Sequence, residues 1–166
     1  TQNLSGLFAP VSDQSWLTIT GVTNGVVAYS FSPNPGTNRT AHVTVLGQAV
    51  AVIQAGPTVT GRRLFYNHSA WDGNDSAANA NDDNAIAPDK AALLPGGTAT
   101  FANYTSYSRG LNGIMVDIVG LRGTPTVSDF TFKVGNDNSP VGWSTAPDPV
   151  SITVRAGAGT NGSDRV

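Results

Sequence analysis

The sequence predicts an all-β protein of two tandem β-sandwich domains, and three observations predict it. The first is composition: all 11 acidic residues are Asp, Glu is absent, and the only lysines are Lys90 and Lys133. With Thr, Val, Gly, Asn and Ser abundant, the chain is short of helix formers and rich in strand and turn formers. The second is apolar alternation in short runs separated by Gly, Pro and Asn. The third is length, since 166 residues accommodate two small domains. Ala55-Gly56-Pro57 reads as the linker, which divides the chain into 1–56 and 57–166.

Each element of the first segment follows from its pattern. In Trp16 to Thr20, Leu17 and Ile19 share one face while Thr18 and Thr20 share the other, and Gly21 breaks the run. Val26 to Phe31 places Val27, Tyr29 and Phe31 together, and Pro33-Asn34-Pro35-Gly36 ends it. Ala41, Val43 and Val45 alternate with Thr40, His42 and Thr44. A tight turn near Gly47-Gln48 then returns the chain as a strand from Ala49 to Ile53. Trp16 stands beside alternating apolar residues and reads as core, and His42 falls on the polar face.

Ser15-Trp16-Leu17-Thr18-Ile19, the strand from Asn38 to Val45 and the run from Gly47-Gln48 to Gln54-Ala55-Gly56 resemble the second half of a BACON-type domain. That resemblance covers roughly Ser12 to Gly56 and implies an immunoglobulin-like sandwich of the kind found in secreted bacterial proteins beside glycan-active modules. The family has two or three strands before the Trp, where only about a dozen residues precede it here.

The second segment predicts strands at Arg62–Asn67, Thr98–Ala102, Gly113–Val119, Asp129–Val134 and Ser151–Arg155. Asn79 to Asn84 reads as loop. Pro88 to Leu94 reads as one short helix, with Pro in its first turn and Pro95-Gly96-Gly97 after its end. The expected architecture is sandwich-like or jelly-roll-like. The stretches Phe65 to Asp75, Leu93 to Gly96, Tyr104 to Asp117 and Ser163 to Val166 resemble an uncharacterised module of large secreted, dockerin-bearing bacterial proteins. In such proteins the Ser-Asp-Arg-Val run leads into further strands. Measured against both resemblances, each end cuts through a domain. The expectation is either an excised fragment or a subunit whose missing strands come from a neighbouring copy.

Composition also removes function classes. A net charge of −2, without long like-charged blocks, is unsuited to capture of a nucleic-acid backbone. No apolar run reaches the roughly 18–20 residues of a membrane span. Zero Cys excludes disulfides, thiolate metal sites and cysteine nucleophiles. Glycoside hydrolysis needs two separated carboxylates, whereas the acid-rich stretch here is one local loop. His68-Ser69 lacks a nucleophile elbow, and His42 and His68 carry no zinc motif. No enzyme is expected.

Two candidate sites remain. Asp72, Asn74, Asp75, Asn81, Asp82 and Asp83, with Asn84 and Asp89 nearby, offer the hard oxygen ligands that calcium takes. Asp72-Gly73-Asn74 begins like an EF-hand loop, but Ala77 stands where that loop needs Gly and Asp83 where it needs Glu. The same residues also suit Asx-turns and helix caps. Tyr66, Trp71, Tyr104, Tyr107 and Trp143 lie in or beside polar loops, where an exposed ring stacks on a sugar; the other reading of such rings is core filling. Lys133, near Asn136 and Asn138, invites an isopeptide cross-link but reads better as a solvent-facing lysine. Six glycosylation sequons, at Asn3, Asn38, Asn67, Asn74, Asn103 and Asn161, mark polar loops.

The expected function is a secreted, extracellular or cell-surface structural and adhesive protein. It would assemble by strand complementation into a surface fibre with copies of itself or neighbouring surface proteins, stabilised by calcium. The alternative is a carbohydrate-binding module of a larger glycan-active protein.

Overall fold

The computed structural model describes residues 4–135, 137 and 139–166. Asn3, and the Asn136 and Asn138 weighed as partners for Lys133, lie outside the described residues. The fold is all-β, with antiparallel sheets and short 3-10 turns. It divides into two compact units, Thr1–Pro57 and Thr58–Val166. Among the described residues no helix is long and apolar enough to cross a membrane.

The first unit contains β1 (Val11–Ser12), β2 (Leu17–Thr23), β3 (Val26–Phe31), β4 (Arg39–Val45) and β5 (Gln48–Gln54). They form a three-stranded sheet ordered β1-β4-β5 and a hairpin of β2 with β3. Both hairpin turns place two residues in the left-handed region, Asn24-Gly25 and Leu46-Gly47, which matches the twist of the strands they join. Gly21 sits at a bulge in β2, where the register against β3 shifts.

The core lies between the two sheets. Leu17, Ala41 and Val43 are buried at its centre, and Trp16, Ile19, Val27, Val45 and Val52 pack against them. The Arg39 guanidinium covers the Trp16 ring at 4.4 Å. Arg39 also donates to Gln54 Oε1 (2.9 Å) and to the Ser32 carbonyl (2.7 Å), which ties the β3–β4 crossover to the end of β5. Gly56 is obligatory at that closure, because a Cβ there would lie 1.6 Å from the Gly36 carbonyl oxygen.

The second unit is built on β6 (Thr58–Leu64), β7 (Ile114–Val119) and β10 (Asp164–Arg165), ordered β10-β7-β6, with a separate pair of β8 (Lys133–Val134) and β9 (Ser144–Thr145). The expected strands at Arg62–Asn67 and Gly113–Val119 correspond to β6 and β7, β6 starting earlier, at Thr58. Asp129–Val134 keeps only β8, Thr98–Ala102 is irregular chain entering a 3-10 turn at Phe101–Asn103, and Ser151–Arg155 contributes only the bridge of Arg155 to Arg165.

The helix expected over Pro88 to Leu94 does not form. Pro88-Asp89 is a turn and 90–94 take no regular structure. Distant partners hold the chain here: Ala91 N–H donates to Ala102 O (2.8 Å), Asn103 Nδ2 donates to Ala91 O (3.0 Å), and just before the stretch Ala87 N–H donates to Leu64 O (2.9 Å). Tertiary pairing overrides a weak local propensity. The six-residue 3-10 turn is instead Ala80–Ala85, inside the stretch read as loop.

Candidate functional site

Ser69 and Asn79 each start a short 3-10 turn, Ala70–Asp72 and Ala80–Ala85, as N-caps in extended conformation. Each turn carries a capping box closed by an Asp three residues on. Ser69 N–H donates to Asp72 Oδ1 (2.9 Å) and Asn79 N–H to Asp82 Oδ2 (2.8 Å). The two turns pack against each other. Strand-like pairing brings their flanks together, with Tyr66 N–H on Ala85 O (3.0 Å) and a bridge from Phe65 to Ile86.

In an exposed capping box the second carboxylate oxygen faces water. Here Asp72 is 3% exposed and Asp82 2% exposed. Asp72 Oδ2, Asp82 Oδ1 and the Asn67 side-chain oxygen are buried and have no hydrogen-bond partner among the described residues. Burial pushes the Asp82 carboxyl up from its ordinary value; the Asn79 N–H and Arg155 oppose the rise, and the negative charges of Asp72 and Asp75 add to it.

The other candidate ligands are placed differently. Asp75 accepts from Ala77 N–H (2.9 Å) and Asn79 Nδ2 (2.6 Å), which hold its carboxyl below the usual range. Asn74 is exposed in the left-handed region after Gly73, its N–H bound to Ser69 O (2.7 Å). Asn81 is exposed, and its N–H caps on Asn79 Oδ1 (2.8 Å). Asp83 turns the opposite way and pairs with Arg155 and Arg165. Asp89 is exposed and pairs with Lys90 at 3.0 Å. Among the described residues no three Asp or His side chains gather in the manner of a metal cluster, so the unpartnered oxygens amount to two carboxylates and one amide.

Asp83 leads into a buried ion network that sequence reasoning missed. Asp117, fully buried on β7, accepts from Arg165 Nε (2.7 Å) and Nη2 (3.0 Å), and from the Thr160 N–H (3.1 Å) and hydroxyl (3.0 Å). Arg165 Nη1 reaches Asp83 Oδ1 at 2.8 Å. The Arg165 fork holds the Asp117 carboxyl far below its ordinary value despite burial. Gly61 and Gly159 let the backbone close over it, since a Cβ at either would lie 2.7 or 2.8 Å from an Asp117 oxygen. The available signal was an Asp inside the apolar run Met115-Val116-Asp117-Ile118.

Three of the five predicted aromatic residues come together. The Tyr66 ring lies 4.3 Å from Tyr107 and 5.6 Å from Trp71, with tilted planes, and Trp71 is 58% exposed. Tyr66 Oη is 2.9 Å from Thr105 Oγ1. Tyr104 is elsewhere, edge-on to Phe101 and lining a groove of about 420 Å³ with Lys90, Leu111 and Ile114. Trp143 is also apart, pressed against the backbone of Gly135, with Nε1 donating to Asp137 Oδ1 (2.8 Å). Lys133 is exposed and donates to Val141 O at 2.7 Å. His42 is exposed and lies 3.0 Å from Asp13. Protein-family models, curated proteins and solved structures yield no match to this chain.

Proposed function

We propose that the chain is a non-catalytic structural and adhesive module of the extracellular surface, and that its first unit accepts a β-strand from another copy. The observation that carries this reading is the incomplete cover over the inward rows of two edge strands, β3 and β5. On β3, Tyr29 and Phe31 stand opposite the core residues Ile19 and Leu17, yet are 45% and 56% exposed. On β5, Val50 stands opposite buried Val43 and is 55% exposed. Directly opposed residues share a face, so apolar side chains that belong to the core side are left half in water. Among the described residues β5 pairs only with β4, and β3 only with β2. A strand added along either edge would satisfy its backbone groups and cover those side chains together. The resemblance to BACON-type domains of secreted proteins supports the extracellular setting.

Light scattering of the chain from micromolar to millimolar concentration tests this. Growth of mass with concentration is the expected result; a monomer throughout overturns it.

A second reading rests on a different observation, the exposed Trp71 beside Tyr66 and Tyr107. Such a cluster offers an apolar plate to a sugar ring within a polar loop. On a glycan array this reading expects signal for the native chain and its loss in Trp71→Ala; no signal for the native chain removes it.

A further inference from the structure

We infer that Asp72, Asp82 and Asn67 together form a binding site for a hard divalent cation, calcium before magnesium. The argument begins with what the site lacks. Three oxygens, Asp72 Oδ2, Asp82 Oδ1 and Asn67 Oδ1, are sealed from solvent, and among the described residues no donor reaches any of them. Buried acceptors are ordinarily paired, and an unpaired buried charge is costlier still. Both carboxylates belong to residues more than nine-tenths buried, and the capping N–H of Ser69 or Asn79 occupies only one oxygen of each.

The segments that carry these oxygens are neighbours in the fold. Asn67 follows Tyr66, whose N–H is bound to the end of the Ala80–Ala85 turn, and that turn packs against Ala70–Asp72.

The occupant follows from its chemistry. A proton would supply one donor, and a water two, and neither meets three acceptors. A divalent cation meets all three and balances two carboxylates. Oxygen donors alone select a hard ion over zinc. Magnesium requires near-ideal octahedral geometry and keeps its waters, whereas calcium accepts six to eight oxygens in irregular geometry, including the carbonyls of a loop such as 67–85. The inference does not depend on assembly, and its test reads the isolated chain.

The experiment is thermal unfolding of the chelator-treated full chain against added calcium chloride or magnesium chloride, with terbium luminescence excited through Trp71 and Tyr66. The midpoint should rise with calcium by about 5–10 °C at roughly a hundredfold excess over Kd, and less with magnesium. Terbium should luminesce, and calcium should quench it. Asp72→Asn and Asp82→Asn should lose both responses, and Asp89→Asn, on an exposed pair, should keep them. Asn67→Asp, which turns the amide ligand into a third carboxylate, should bind calcium about tenfold more tightly and serves if the other variants fail to fold. A folded native chain whose midpoint and luminescence ignore calcium overturns the proposal. So does an undiminished response in Asp82→Asn or an unchanged calcium affinity in Asn67→Asp.

Discussion

At the scale of single residues the second unit is held by charges placed where apolar side chains would ordinarily sit. Asp117 is fully buried, and its two oxygens meet the Arg165 fork, Thr160 and the backbone that Gly61 and Gly159 allow to approach. Removing one partner of such a pair strands the other charge. Asp117→Asn should therefore cost about 3–5 kcal/mol in urea unfolding. The same residue sets an acid limit. Its folded carboxyl lies far below its ordinary value near 3.8, so the stability it contributes is complete well above that value and is lost progressively as pH falls below it toward the much lower folded value. Unfolding curves from pH 6 down to pH 2 should steepen below about pH 4 in the native chain, and less so in Asp117→Asn. Single residues were also where the sequence was least readable. Asp72 and Asp82 were visible as candidate ligands, but Asn67 was not, because only burial distinguishes its side-chain oxygen from that of any loop Asn.

At the scale of elements, β2 to β5 were legible because each is a run of alternating side chains bounded by a turn pair, and alternation is a local property. The segment 88–94 differs from its local reading because the partners of Ala91, Ala102 and Asn103, lie outside any window in which propensity is summed. Likewise, the Ala80–Ala85 turn is stabilised by its capping box and by packing on a second turn, neither of which hydrophobic periodicity reports. The edge strands carry the element-scale prediction. Val50→Lys and Ile53→Lys alter β5 residues that are 55% and 70% exposed. Ile53→Lys, opposite exposed Thr40 on the outer face, should hold stability to within about 0.5 kcal/mol, as surface changes do. Both should suppress concentration-dependent association in light scattering, because a lysine on an edge strand opposes a further strand.

At the scale of the whole molecule, the two units use different means to the same end. The first encloses a small apolar core of Leu17, Ala41 and Val43 between two sheets. The second buries few large apolar side chains and places carboxylates in its interior, including Asp72, Asp82 and Asp117. The two units should therefore differ in what unfolds them. The second should be the more sensitive to acid and to chelation.

The return of β10 onto β7 has one more consequence. Asp164 pairs with Ile118 and Arg165 with Asp117, so the 44 residues from 120 to 163 leave and re-enter the fold at one place, like a cord fastened by a clasp. A fastened loop lengthens cheaply, at about 0.6 kcal/mol per doubling. A stretch of Gly and Ser inserted after exposed Asp148 should leave the unfolding midpoint within a few degrees of the parent. The clasp thus marks where this module could carry foreign sequence without relearning how to fold.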